Sequence, residues 1–145
     1  MAILIDTGPL VSAIDRRDPA CAMSVAALGR LGRNAIVPSP VVVEVDHLVR
    51  QRVGAHAARS FLKHIVGGSH RVAYVTAGLM QRATELDRLY ADLNLGVVDG
   101  CVMAIAERHD LPIFTFDFRD FRATESANGP WRLAVDERTY EREAG

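Results

Sequence analysis

The chain's 145 residues (15.9 kDa) fit one domain, a length that buries roughly 70% of the surface an unfolded chain exposes. Hydrophobic residues at 49% and charged residues at 24% exclude wholesale disorder, and no apolar run approaches the roughly 20 residues of a membrane span. The formal charge of −1 excludes a strongly basic nucleic-acid scaffold, although every cation but Lys63 among the 17 is an arginine, whose planar fork suits phosphate.

The first segment, Ala2–Ile5, is an apolar run too short for a helix and predicts a buried strand. It reaches Asp6 with no basic segment ahead of it, which predicts no secretory signal and a cytoplasmic protein. Thr7-Gly8-Pro9 turns into a helix to about Ile14, with Pro9 in its first turn. A second helix is expected over 19–31 and a second strand over 34–38. Ser39 as N-cap and Pro40 at N1 start a helix that puts Val41, Val45, Leu48 and Val49 on one face and ends near Gly54. Another helix follows over 55–66, stopped by Gly67-Gly68.

A third strand is predicted over 71–76. The helix after it, Ala77 to about Leu93, carries a buried stripe of Leu79, Ala83, Leu86, Leu89 and Tyr90. Asp99 opens an apolar helix over 101–108, 112–116 is the clearest strand, and 131–135 is the last one, after a turn at Asn128-Gly129-Pro130. Residues 1–135 form the domain, and the charged tail 136–145 either joins it or frays. Strands alternating with helices predict an α/β fold, three-layer α/β/α around a mostly parallel central sheet. Cys21 and Cys101 show no metal-ligand spacing and read as reduced, packed thiols.

Four acidic residues stand at the ends of apolar segments: Asp6, Glu44, Asp99 and Asp117. A carboxylate bordered by apolar residues is costly to desolvate unless its charge is compensated. In an open parallel sheet the carboxyl ends of the strands and the starts of the following helices share one edge, where ligands bind. Asp6 and Asp117 close predicted strands, and Glu44 and Asp99 lie early in predicted helices, so all four can face one crevice. Grouped carboxylates repel, and oxygen-only ligation suits Mg²⁺ or Mn²⁺, a centre for phosphodiester hydrolysis. Each also has a plainer role: Asp6 or Asp99 as a helix cap worth about 1 kcal/mol, Glu44 as a solvated helix residue, and Asp117 or its competitor Asp120 as a turn residue. Thr7 and Thr115 either orient carboxylates or water through their hydroxyls or are plain turn or strand residues, and Asp46 and Asp92 read as surface charges.

Ile3-Leu4-Ile5-Asp6-Thr7, Glu44 within 40–49, Val98-Asp99-Gly100 and Thr115-Phe116-Asp117 resemble the PIN domain, and within it the VapC-type ribonuclease toxins of bacterial toxin–antitoxin pairs. The resemblance runs from Ile3 to about Val135. It implies a PIN-type fold, Mg²⁺ or Mn²⁺ dependence, and endonucleolytic RNA cleavage leaving a 5′-phosphate. It also implies a homodimer and a cognate VapB-type antitoxin whose C-terminal segment crosses the active groove. By position it carries over Asp6, Glu44, Asp99 and Asp117 as metal-coordinating, catalytic carboxylates. One departure is Gly100-Cys101, where relatives usually put alanine and often a small hydroxyl residue. Arg16, Arg17 and Arg119 are candidates for RNA phosphates by their place in the sequence.

A catalytically inactive PIN-like module that binds RNA or protein is the main rival; retention of all four carboxylates argues against it. Glu44-Val45-Asp46-His47 has the Glu-x-x-His spacing of a di-iron helix, but no second copy exists, and His47 reads as packed or surface. Asp6-Thr7-Gly8 lacks the second aspartate of an aspartyl phosphotransferase, and no Gly-rich phosphate loop is present.

Overall fold

The computed structural model describes all residues from Met1 to Gly145. Four parallel strands form the sheet: β1 (Ile3–Ile5), β2 (Ala35–Pro38), β3 (Arg71–Ala73) and β4 (Ile113–Phe114), in the order β3-β2-β1-β4. The helices are α1 (Thr7–Ile14), α2 (Cys21–Leu31), α3 (Ser39–Arg52), α4 (Ala55–Val66), α5 (Ala77–Leu89), α6 (Gly96–His109), α7 (Phe118–Ala123) and α8 (Glu137–Ala144). They flank the sheet as a three-layer α/β/α fold, and none is long and apolar enough to cross a membrane.

The chain starts in the centre of the sheet, builds outward through β2 and β3, then returns to pair β4 on the other side of β1. Strand order therefore reverses between β1 and β4. The carboxyl ends of these two strands border the crevice where such sheets bind ligands. Backbone bonds hold that border, with Leu4 N–H donating to the Pro112 carbonyl and Asp6 N–H to that of Phe114, both at 2.9 Å.

Leu4, Ile5, Val37, Ile113 and Phe114 are fully buried, as expected of parallel strands covered on both faces. On α3 the i, i+4 series Val41, Val45, Val49 is solvent-free, with Leu48 partly covered beside it. The α6 run Cys101–Ala106 is buried on all sides, so that helix is the spine of the core.

Several sequence expectations need correcting. The third strand ends at Ala73 and the fourth spans only two residues; beyond them side chains take the backbone donors, Ser39 that of Val75 and Thr115 that of Asp117. Trp131–Val135 is not a strand: one parallel bridge joins Leu133 to Ile113, with Ile113 N–H bonding the Arg132 carbonyl and Ala134 N–H that of Ile113. The helix expected to run to Leu93 ends at Leu89, whose side chain is 67% exposed, and a 3₁₀ turn over Ala91–Leu93 follows. Pro38, not Ser39, occupies the cap position of α3, and the Ser39 hydroxyl instead accepts the Val75 N–H (3.2 Å), tying α3 to the segment after β3.

The tail forms α8, capped by Asp136, whose carboxylate accepts the Thr139 N–H (2.7 Å). Its Tyr140 ring packs on Phe116 (centroids 4.5 Å apart) and Phe118 (5.6 Å). Those rings flank Asp117, so the tail buttresses the loop after β4.

Candidate active site

Each predicted carboxylate is held by a local reason. Asp6 leaves β1 in extended conformation and caps α1, its Oδ1 accepting the Thr7 N–H at 2.8 Å. Its Oδ2 accepts the hydroxyl of Thr115 at 2.7 Å, and that hydroxyl accepts the Asp117 N–H at 3.0 Å. Thr115 is solvent-free and Asp6 is 5% exposed, so this relay locks the end of β1 to the loop after β4. Asp117 then caps α7 by accepting the Asp120 N–H (3.2 Å). Both Asp6 oxygens thus accept a hydrogen bond from the fold, whereas capping engages only one oxygen of Asp117.

Asp99 lies in the first turn of α6, and no hydrogen bond or salt bridge reaches its carboxylate. Its approach is set by Gly100: a Cβ there would stand 2.8 Å from the Ala83 carbonyl of α5. The departure at Gly100 is thus a packing requirement, because α6 presses on α5 too closely for alanine. Glu44 sits in the second turn of α3, and its charge acts on both Asp6 and Asp99.

Carboxylate oxygens of Asp99, Asp117 and Asp120 lie within 4.8 Å of one another. Sequence reasoning set Asp117 against Asp120 as alternatives; the start of α7, capped by Asp117 with Asp120 in its first turn, brings in both. None of the five acidic residues forms a salt bridge.

The electrostatic consequence is large. Burial pushes the Asp6 carboxyl from 3.8 up to about 6, against the lowering effect of its bonds from Thr115 and Thr7, with Glu44 and Asp117 adding repulsion. Burial followed by repulsion from Asp6, Asp117, Asp120 and Glu44 pushes Asp99 up to about 8. Asp117 is also raised, chiefly by burial, although the neighbouring Arg119 pulls it down. A set of hard oxygen donors that repel one another and form no salt bridge fits a divalent cation.

The arginine candidates separate. Arg119 is exposed beside Asp117, at the crevice. Arg16 and Arg17 lie past the far end of α1, about 13 Å along its axis from Asp6, and do not join the carboxylates. His47 is exposed, and Cys101 is packed in the core.

A family model described as the PIN domain matches residues 3–126. The chain is 32% identical over 129 residues to a Mycobacterium tuberculosis protein named Ribonuclease VapC26, covering 88% of this chain and 95% of that one. Among solved structures, M. tuberculosis VapC20, described as a sarcin-ricin loop cleaving toxin, superposes with a TM-score of 0.77 at 20% identity, covering 84% of this chain and 95% of that one. VapBC2 from Rickettsia felis, solved with a DNA fragment from its promoter, gives a TM-score of 0.70 at 18% identity, with 94% and 100% coverage. A toxin–antitoxin complex from Klebsiella pneumoniae gives 0.63 at 19% identity, with 91% and 100% coverage. With nearly its whole length matched and its acidic residues gathered at the switch point of the sheet, the chain belongs to the PIN-domain family, in its VapC group of ribonuclease toxins.

Proposed function

We propose that this protein is a Mg²⁺- or Mn²⁺-dependent endoribonuclease toxin, working in the cytoplasm and neutralised by a VapB-type antitoxin. The observation that carries the reading is the convergence of Asp99, Asp117 and Asp120 within 4.8 Å beside the buried Asp6. The named relatives support the same class.

In this reading Asp6, Asp99 and Asp117, joined by Asp120, hold the cation, and Glu44 completes the shell or orients the attacking water. A divalent cation there supplies charge neutralisation at a phosphodiester and activation of water. Thr115 keeps the Asp6 carboxylate aimed by donating to its outer oxygen, the role that partners of metal ligands commonly have. Arg119, exposed at the crevice, binds the substrate's phosphate and opposes the site's negative field. The chain's nuclease unit spans residues 1–135 with the tail docked on it, and it acts as a homodimer.

The test uses the purified chain, end-labelled single-stranded RNA, and either Mn²⁺ or EDTA. Cleavage in Mn²⁺ alone, with 5′-phosphate ends, is expected. RNA binding with no cleavage at any metal concentration would replace the enzyme with the inactive binding module. Cleavage that persists in EDTA would end the metal mechanism. Co-purification with a VapB-type antitoxin, with loss of cleavage, is expected for the complex.

A further inference from the structure

The ends of α1 and α3 remote from the carboxylates meet the start of α4 in a cleft of about 410 Å³, walled by Arg16, Arg17, Arg52 and Asp15 with the apolar Ile14, Val53 and Ala57. Its one lining carboxylate is already engaged: Asp15 Oδ1 accepts the backbone N–H (3.1 Å) and the Nε–H (3.2 Å) of Arg17. Arg17 also donates through Nη2 to the Arg52 carbonyl, which fixes its fork between the two helix ends. No protein acceptor meets the guanidinium of Arg16 or Arg52. Nearby Asp18 is turned to the Ser12 hydroxyl and the Ala20 N–H, and His56 is exposed in the first turn of α4. Three guanidinium groups facing one carboxylate leave an excess of two positive charges in a concave site. α4 starts there with no side-chain cap and no acidic residue in its first turn, so its free N–H groups add to the positive field.

We infer that this cleft is a phosphate-binding subsite for single-stranded RNA, which holds the substrate strand at a distance from the cut. The inference rests on the ribonuclease reading and extends it. α1 runs from Asp6 and α3 from the turn that carries Glu44, so the cleft stands about 12–13 Å along those helices from the carboxylates, a span of a few nucleotides. Phosphodiester recognition fits the lining better than a protein segment does. Guanidinium forks match phosphate oxygens two at a time, whereas a docked peptide relies on buried apolar anchors.

The experiment measures binding of a labelled single-stranded RNA to the Asp99→Asn protein in EDTA, by anisotropy across a salt series. Arg16→Gln with Arg52→Gln is expected to weaken binding about tenfold and to flatten the slope of log K against log salt by about 1.4, or about 0.7 for each phosphate no longer neutralised. Arg30→Gln with Arg108→Gln, two exposed arginines near the ends of α2 and α6, is the charge-matched control. Arg16→Lys with Arg52→Lys, which keeps the charge, is expected to retain the slope and lose part of the affinity. Melting temperatures within a few degrees of the parent establish that each variant is folded.

An Arg16→Gln, Arg52→Gln variant indistinguishable from the Arg30→Gln, Arg108→Gln control overturns the inference, as does a parent protein that binds no RNA. Displacement of RNA by polyglutamate as effectively as by unlabelled RNA overturns it in favour of an acidic protein ligand. A chain that binds RNA through this cleft yet cuts nothing in Mn²⁺ loses the nuclease reading alone.

Discussion

Asp6 and Asp99 are two acidic residues of one crevice in opposite electrostatic situations. Asp6 is almost wholly buried, yet it accepts two hydrogen bonds, and its carboxyl rises only to about 6. Asp99 is less covered, accepts none, and faces four other carboxylates, and it rises to about 8. Depth alone therefore does not rank these groups. Local donors compensate Asp6 and make it part of the fold, whereas Asp99 is left for something outside the chain to compensate.

Asp99→Asn should break that contrast most sharply. RNA cleavage in Mn²⁺ is expected to fall by roughly 10³-fold, several kcal/mol of transition-state charge stabilisation. The metal-free protein should at the same time melt higher, because an amide escapes the cost of keeping that half-buried carboxyl protonated at neutral pH. Full cleavage by this variant would remove Asp99 from the site.

Thr115→Val attacks the Asp6 side. It takes away the hydroxyl that donates to Asp6 and accepts from Asp117, leaving a buried acceptor and a buried donor short of partners. Stability is expected to drop by about 1–3 kcal/mol. Mn²⁺ affinity, read by calorimetry, should weaken about 10–100-fold, as for other lost partners of metal ligands. Unaltered affinity would make Thr115 a purely structural residue.

The pH response sharpens the comparison further. Both carboxyls are raised above the 3.8 of an unfolded chain, so between about pH 4 and 8 the folded, metal-free protein holds protons that the unfolded chain has released. Its stability is fully present near pH 4 and falls as pH rises, up to about 6 through Asp6 and on to about 8 through Asp99. Melting curves in EDTA should show this decline, and Asp99→Asn should remove the part above pH 6. Saturating Mn²⁺ should flatten the slope. A flat profile in EDTA would contradict the mutual repulsion of these carboxylates.

Tyr140→Ala is the mildest test. Losing the ring packed on Phe116 and Phe118 should cost about 1 kcal/mol and modestly slow cleavage by loosening the loop that carries Asp117. No change in either quantity would make the tail a bystander.

Much of this crevice was legible along the chain. Carboxylates that follow Ile3-Leu4-Ile5 or Thr115-Phe116, or that open helices rich in valine, announce an edge where strands stop and helices begin. Asp120 was harder to place, because residues three apart face the same side only if the intervening turn is helical, and α7 is too short to carry a periodicity. Arg52 was invisible as a neighbour of Arg16, since 36 residues separate them and only the packing of α1 on α3 joins their ends. The strand expected over 131–135 failed because its apolar alternation resembles a sheet edge, while the chain spends only one bridge there.

The sequence by itself determined the alternation of strands and helices, the acidic residues at their junctions and the helical faces that bury valine and leucine. These follow from local periodicity and from the cost of isolating a charge from water. Only the tertiary structure decided which carboxylate oxygens come within 4.8 Å of one another, that Gly100 is required by contact with Ala83, and that three arginines share a cleft. Those relations depend on distances between segments far apart in the chain, which are set by strand order and helix packing.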